Sequence, residues 1–220
     1  GRSGLLTNMD LAINDVNEFL MEQQSETPDL KWFVHGASMG GMFALNLCLK
    51  AQERKSPLSG ALLISPMCKI ADEVKPPDIL IGILTYISQY APTLSIIPSS
   101  MDESLVFKDA EFVSKVKKDP LKYIGRPRMG TAVALMQATN DLEKKLSKLE
   151  TPFIVLHGTK DVVTSHEAST ELYQMSEKVP EADKKLVLIE GGWHGILSAD
   201  GEEEVENRWR QMLDWAISRT

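Results

Sequence analysis

Four short apolar runs, at residues 30–34, 60–64, 153–156 and 186–189, constrain this chain more than any other feature. Each is bounded by polar or glycine-rich residues, and none shows the strict polar–apolar alternation of a strand with one wet face. Runs of this kind fit strands covered on both sides, and helical patterns lie between them. That combination predicts a parallel α/β sheet flanked by helices.

The helical patterns are specific. Thr7 or Asn8 can cap a helix running to about Gln24, with Leu11, Ile13, Val16, Phe19 and Leu20 as its apolar side. Residues 26–29 include Pro28 and read as a loop. Residues 42–49 are apolar nearly all round, as in a helix pressed against a sheet. Residues 165–179 and 202–219 read as two further helices, the second with Val205, Trp209, Met212, Leu213 and Trp215 inward. Residues 67–149 break the rhythm. They hold most of the prolines, a very apolar helix at 78–90 and charged helices at 109–118 and 131–148. The expected organisation is a core of residues 1–66 and 150–220, with residues 67–149 as a helical insertion.

Composition narrows the function. A 220-residue chain can bury roughly 70% of its unfolded surface and needs no disulfides to hold a core. Its two cysteines, Cys48 and Cys68, have no metal-ligand spacing and sit in apolar surroundings, which fits a reducing, cytoplasmic compartment. No metal or other cofactor is expected. A net charge of −7 without a basic patch argues against nucleic acid as a partner. The longest apolar run, residues 79–84, is far short of the ~20 residues that span a bilayer.

The chemistry concentrates at Gly36-Ala37-Ser38-Met39-Gly40, a G-x-S-x-G between an expected strand and an expected helix. A serine on such a turn projects its hydroxyl above the sheet edge. Glycines two residues to either side relieve Cβ crowding. The helix N-terminus aims amide N–H groups at a developing oxyanion, and the Met39 amide is the expected donor. A serine needs a base, and the chain has four histidines. His194, in Gly191-Gly192-Trp193-His194-Gly195 after the last expected strand, has the right position. His35 on the elbow strand is expected to pack structurally, His157 to serve backbone capping at a strand end, and His166 to be solvated. The orienting acid should lie between Ser38 and His194 in the chain, at a strand end. Asp161, in His157-Gly158-Thr159-Lys160-Asp161, meets that condition; Asp29 and Asp200 fall outside the interval. With His194 as base, turnover is expected to fall as pH drops through ~6.5.

These residues resemble the α/β-hydrolase family, and within it the plant-type monoacylglycerol lipase and caffeoylshikimate esterase-like group, also called lysophospholipase-like or serine aminopeptidase-like. The resemblance runs through G-A-S-M-G-G, S-P-M-C-K-I (65–70), V-K-P (74–76), F-K-D (107–109), R-P-R (126–128), D-L-E (141–143), T-P-F-I-V-L-H-G-T-K-D (151–161) and G-G-W-H-G (191–195). It implies a Ser38–Asp161–His194 triad and a cap at residues 67–149 over an acyl pocket. The opening G-R-S-G resembles the end of a G-H-G-R-S-x-G loop that lies inside the family's domain. By that likeness the family's first strands, and the His-Gly loop supplying a second oxyanion N–H, precede residue 1. The expected fold is therefore the C-terminal half of a mostly parallel hydrolase sheet, with the elbow strand at an unpaired edge.

The expected function is a serine hydrolase cleaving carboxylic esters, monoacylglycerols or lysophospholipids, through an acyl-enzyme. The small-molecule ester or lipid is the expected partner, with peripheral membrane contact through the apolar helix at 78–90. Two alternatives stand beside it. One is a truncated, catalytically impaired module that binds a ligand or partner, since one missing oxyanion donor typically costs ~2.7–4 kcal/mol. The other is an esterase for phenolic (caffeoyl) esters.

Overall fold

The computed structural model describes residues 2–70, 77–95, 102–123, 125–198 and 200–220. The V-K-P motif at 74–76 lies outside them. Among the described residues, four parallel strands form one sheet in the order β1 (Phe33–Ala37), β2 (Gly60–Ile64), β3 (Phe153–Gly158), β4 (Lys184–Ile189). The register pairs Ala37 with Ile64, Ile64 with Leu156, and Gly158 with Ile189. The loops leaving all four strands therefore share one edge of the sheet, where open α/β sheets place their ligands.

Helices cover both faces. On one, α1 (Met9–Glu26), α2 (Met39–Glu53), α6 (Met129–Glu143) and α7 (His166–Met175) bury the larger core, including Ile13, Met42, Leu45, Leu142, Phe153 and Leu172. On the other, α8 (Glu202–Ile217) packs Met212, Trp215 and Ala216 against Leu62, Ile64, Ile154 and Leu156. Both cysteines are buried, and burial pushes their thiols up to about 12. Between β2 and β3 come α3 (Asp78–Tyr90), α4 (Glu103–Val106), α5 (Ala110–Lys118) and α6. α6 reaches back into the main core through Ala134 and Leu142, followed by Leu146 of a short 3-10 turn.

Several expectations shift. β1 starts three residues later than the run at 30–34, and α2 starts at Met39, directly after Ser38. In α1, Asn8 is the cap: its side chain accepts from the Leu11 amide. The buried stripe is Met9, Ile13 and Leu20, while Leu11, Val16 and Phe19 are exposed. At roughly 100° per residue, Leu11 points nearly opposite to Met9 and Ile13. In α8, Leu213 is exposed and Ala216 takes its place in the core for the same reason of phase. β2 and β3 are buried throughout, as their sequences predict, but the outer strands are not. β1 alternates, with Val34 and Gly36 buried and His35 and Ala37 exposed, and β4 leaves Leu188 exposed.

Candidate active site

The turn from β1 into α2 forces Ser38 into a backbone conformation of φ 53°, ψ −122°. A non-glycine residue there stores on the order of 1–3 kcal/mol, held only where the surroundings over-determine it. The surroundings do so. The Ser38 amide donates to the Ile64 carbonyl at 2.9 Å, and the amides of Gly41 and Met67 both donate to the Ser38 carbonyl at 2.9 Å. Two glycines allow the tight approach. A Cβ on Gly36 would stand 2.2 Å from the Gly40 carbonyl oxygen, and one on Gly41 would stand 2.5 Å from the Pro66 Cβ. Gly40, expected to be the second essential glycine, has open space where its Cβ would be; Gly41 carries that requirement. The Met39 amide opens α2, among the first N–H groups that a helix leaves without an internal partner.

His194 and Asp161 meet. His194 Nδ1 lies 2.7 Å from Asp161 Oδ2, and both side chains are almost completely buried. Ser38 and His194 line the same cavity of about 280 Å³, together with Phe107, Leu197 and Trp209. His194 also borders a larger cavity of about 880 Å³, lined by Val106, Phe107, Val116, Tyr123 and Pro127 and by the charged Asp102, Glu103, Lys117 and Lys122. The three residues singled out in the sequence thus come together at the strand-end edge of the sheet. The His194 loop is fastened on both sides: the Gly195 amide donates to the Val106 carbonyl at 2.9 Å, and the Ser65 hydroxyl donates to the His194 carbonyl at 3.3 Å.

Asp161 is surrounded by donors. Its Oδ1 accepts from the amides of Val163 (2.7 Å) and Thr164 (3.0 Å). Its Oδ2 faces His194, the Thr164 hydroxyl at 2.9 Å and His157 Nε2 at 3.1 Å. Burial by itself would raise the carboxyl's pKa. The hydrogen bonds from His157 and His194, the charge His194 can carry and the Thr164 amide outweigh burial and hold it well below the usual carboxylate range.

The other histidines separate by role. His157 does more than the backbone capping expected of it: its ring is fully buried and bonded to Asp161. His35 sits on β1, with Nδ1 3.1 Å from the Leu62 carbonyl and its ring 5.3 Å from that of Trp209. His166 is partly exposed beside Glu167, at 3.2 Å. Asp200 pairs with Arg208 and Lys108. Among the described residues, no group of three His, Cys, Asp or Glu side chains is placed to hold a metal ion. Sequence reasoning missed Ser65 and Thr164. Ser65 opens the S-P-M-C-K-I motif, and Thr164 lies three residues past Asp161, the spacing at which an Asp side chain meets backbone N–H groups.

The family model for serine aminopeptidase, S33, matches residues 1–202. The chain belongs to this family of hydrolases. Caffeoylshikimate esterase of Arabidopsis thaliana is 29% identical over 187 residues, which cover 85% of this chain and 55% of that protein. Human monoglyceride lipase is 26% identical over 220 residues, covering all of this chain and 69% of the lipase. The chain therefore spans about half to two-thirds of the length of these relatives. Among solved structures, a soluble variant of Saccharomyces cerevisiae monoglyceride lipase in complex with a substrate analog superposes with a TM-score of 0.81 at 22% identity, over all of this chain and 73% of that one. That likeness establishes the α/β-hydrolase fold, of which the four-stranded parallel sheet with helices on both faces is part.

Proposed function

We propose that this S33-family chain carries the nucleophile, acid and base of a carboxylic ester hydrolase of the monoacylglycerol lipase type. Ser38 attacks the ester carbonyl. His194 takes the Ser38 proton and returns it to the leaving alcohol, and Asp161 orients the imidazole and stabilises its charged form. The Met39 amide stabilises the oxyanion, and water then releases the acid from the acyl-enzyme. The observation that carries this reading is the strained Ser38 turn opening into the cavity that His194 lines, with Asp161 bonded behind it. The names of the human and yeast relatives support a monoacylglycerol as substrate. The cavity bordering His194 has a mixed lining, and its apolar side of Val106, Phe107, Val116 and Pro127 is compatible with an acyl chain.

In this reading residues 67–149 form a cap, with α6 as its root in the core. Helix α3 turns Ile79, Leu80, Ile83 and Ile87 outward, an apolar stripe suited to peripheral contact with a lipid surface. A caffeoyl ester is the second reading, supported by the 29% identity to the Arabidopsis esterase. Hydrolysis of a monoacylglycerol, a lysophospholipid and a chlorogenate-type ester by the 220-residue chain, each compared with Ser38→Ala, separates these possibilities. The expected result is preferential monoacylglycerol turnover that falls at least about a thousandfold in the variant. Equal turnover by Ser38→Ala overturns the assigned nucleophile.

A further inference from the structure

His157 stands at the end of β3, fully buried, with every polar atom of its ring engaged. Nε2 lies 3.1 Å from Asp161 Oδ2 and 3.1 Å from the Thr164 carbonyl oxygen. Both of these oxygens accept, and they are closer than the Thr164 hydroxyl at 3.4 Å, so Nε2 carries a hydrogen and donates. Nδ1 lies 2.7 Å from Ser169 Oγ, on α7. In the neutral ring Nδ1 is then the acceptor, and the Ser169 hydroxyl donates to it. Ser169 is itself fully buried. The result is a directed chain: Ser169 O–H to His157 Nδ1, His157 Nε2–H to Asp161 Oδ2, with His194 on the same carboxylate oxygen.

We propose that His157 is a positioning residue that holds Asp161 Oδ2 against His194, and that Ser169 selects the His157 tautomer able to do so. This rests on the reading of Asp161 and His194 as acid and base. The Val163 and Thr164 amides fix Oδ1 and leave Oδ2 to its own donors. Besides His194, these are the Thr164 hydroxyl at 2.9 Å, which also faces the Ser65 carbonyl at 3.1 Å and His194 Nδ1 at 3.2 Å, and the N–H of the fully buried His157 ring at the end of β3. The titratable groups around the ring are Asp161 and, through it, His194, together with His166 and Glu167 on α7. The His166 ring lies 6.4 Å from that of His157. Strand β2 contributes only Gly60–Ile64, and the lysines of β4 lie at the far end of that strand from Leu188, the register partner of His157.

The test is the rate at which a fluorophosphonate labels Ser38, against pH, in the wild-type chain and in His157→Leu, His157→Gln and Ser169→Ala. It is paired with ¹H–¹⁵N spectra of the imidazoles. His157→Leu should slow labelling roughly ten- to a hundredfold, the scale of a lost hydrogen bond to a charged group. Asp161, less satisfied, should then favour protonated His194 and move the acidic limb of the profile to higher pH. His157→Gln, which restores an N–H donor, should recover most of the rate. Ser169→Ala changes little volume and retains the fold if His157→Leu does not; it should redistribute the His157 tautomers and slow labelling by a smaller factor. An unlabelled wild-type chain would contradict the nucleophile reading. The positioning role would still be decided by whether His157→Leu or Ser169→Ala alters the His194 Nδ1 proton signal. Unmoved rate, limb and signal in those variants, or a His157→Gln chain as impaired as His157→Leu, would overturn the proposal.

Discussion

At Asp161, burial and hydrogen bonding pull the carboxyl in opposite directions, and the bonds win. A group whose pKa is lowered on folding stabilises the fold fully above its unfolded value of ~3.9, and that stability is lost as pH falls through the ordinary carboxylate range towards the folded value. Urea midpoints of the wild-type chain should therefore drop between about pH 5 and pH 3, and those of Asp161→Asn should start lower and fall less steeply. Parallel curves would mean that Asp161 is not a stabilising carboxylate. The residues of this site were unequally legible in the sequence. Ser38, Asp161 and His194 announce themselves through order and motif. His157 does not, because a strand-end histidine reads alike whether its ring bonds a carboxylate or simply fills space. Only the turn that brings Asp161 back beneath it distinguishes the two.

Among the elements, the β1–α2 unit matters most. Its glycine requirement falls on Gly36 and Gly41, because α2 begins one residue after Ser38 and Gly41 passes against Pro66. Gly41→Ala should force α2 away from the loop after β2 and cost about 1–3 kcal/mol. Thermal or urea unfolding measures this. Gly40→Ala, with open space at its Cβ, should cost much less. Equal effects would contradict the packing. The helix at 78–90 is legible to the residue, because its apolar run is bounded by Pro77 before it and Pro92 beyond it. The faces of α1 and α8 are less legible: Leu11, Phe19 and Leu213 are hydrophobic residues on exposed surface, and sequence alone does not say that a helix will leave them there.

For the whole molecule, the parallel sheet was legible from the uninterrupted runs of β2 and β3, which are buried on both faces. The edge status of β4 among the described residues was less so, since residues 186–189 are as apolar as a central strand and only the lysines before them and the pairing order point to its exposure. The apolar stripe of α3 belongs to this scale too. If it meets lipid, Ile79→Glu with Ile83→Glu should reduce co-sedimentation with phosphatidylcholine vesicles severalfold and leave turnover of a short, water-soluble ester unchanged. Undiminished vesicle binding would remove α3 from that role. The central claim concerns one hydroxyl. Treating the 220-residue chain with a fluorophosphonate and mapping the adduct by peptide mass spectrometry tests it directly. The expected result is a single adduct on Ser38, formed at least about a hundredfold more slowly in His194→Ala; an adduct elsewhere, or a Ser38 adduct indifferent to His194, would contradict it.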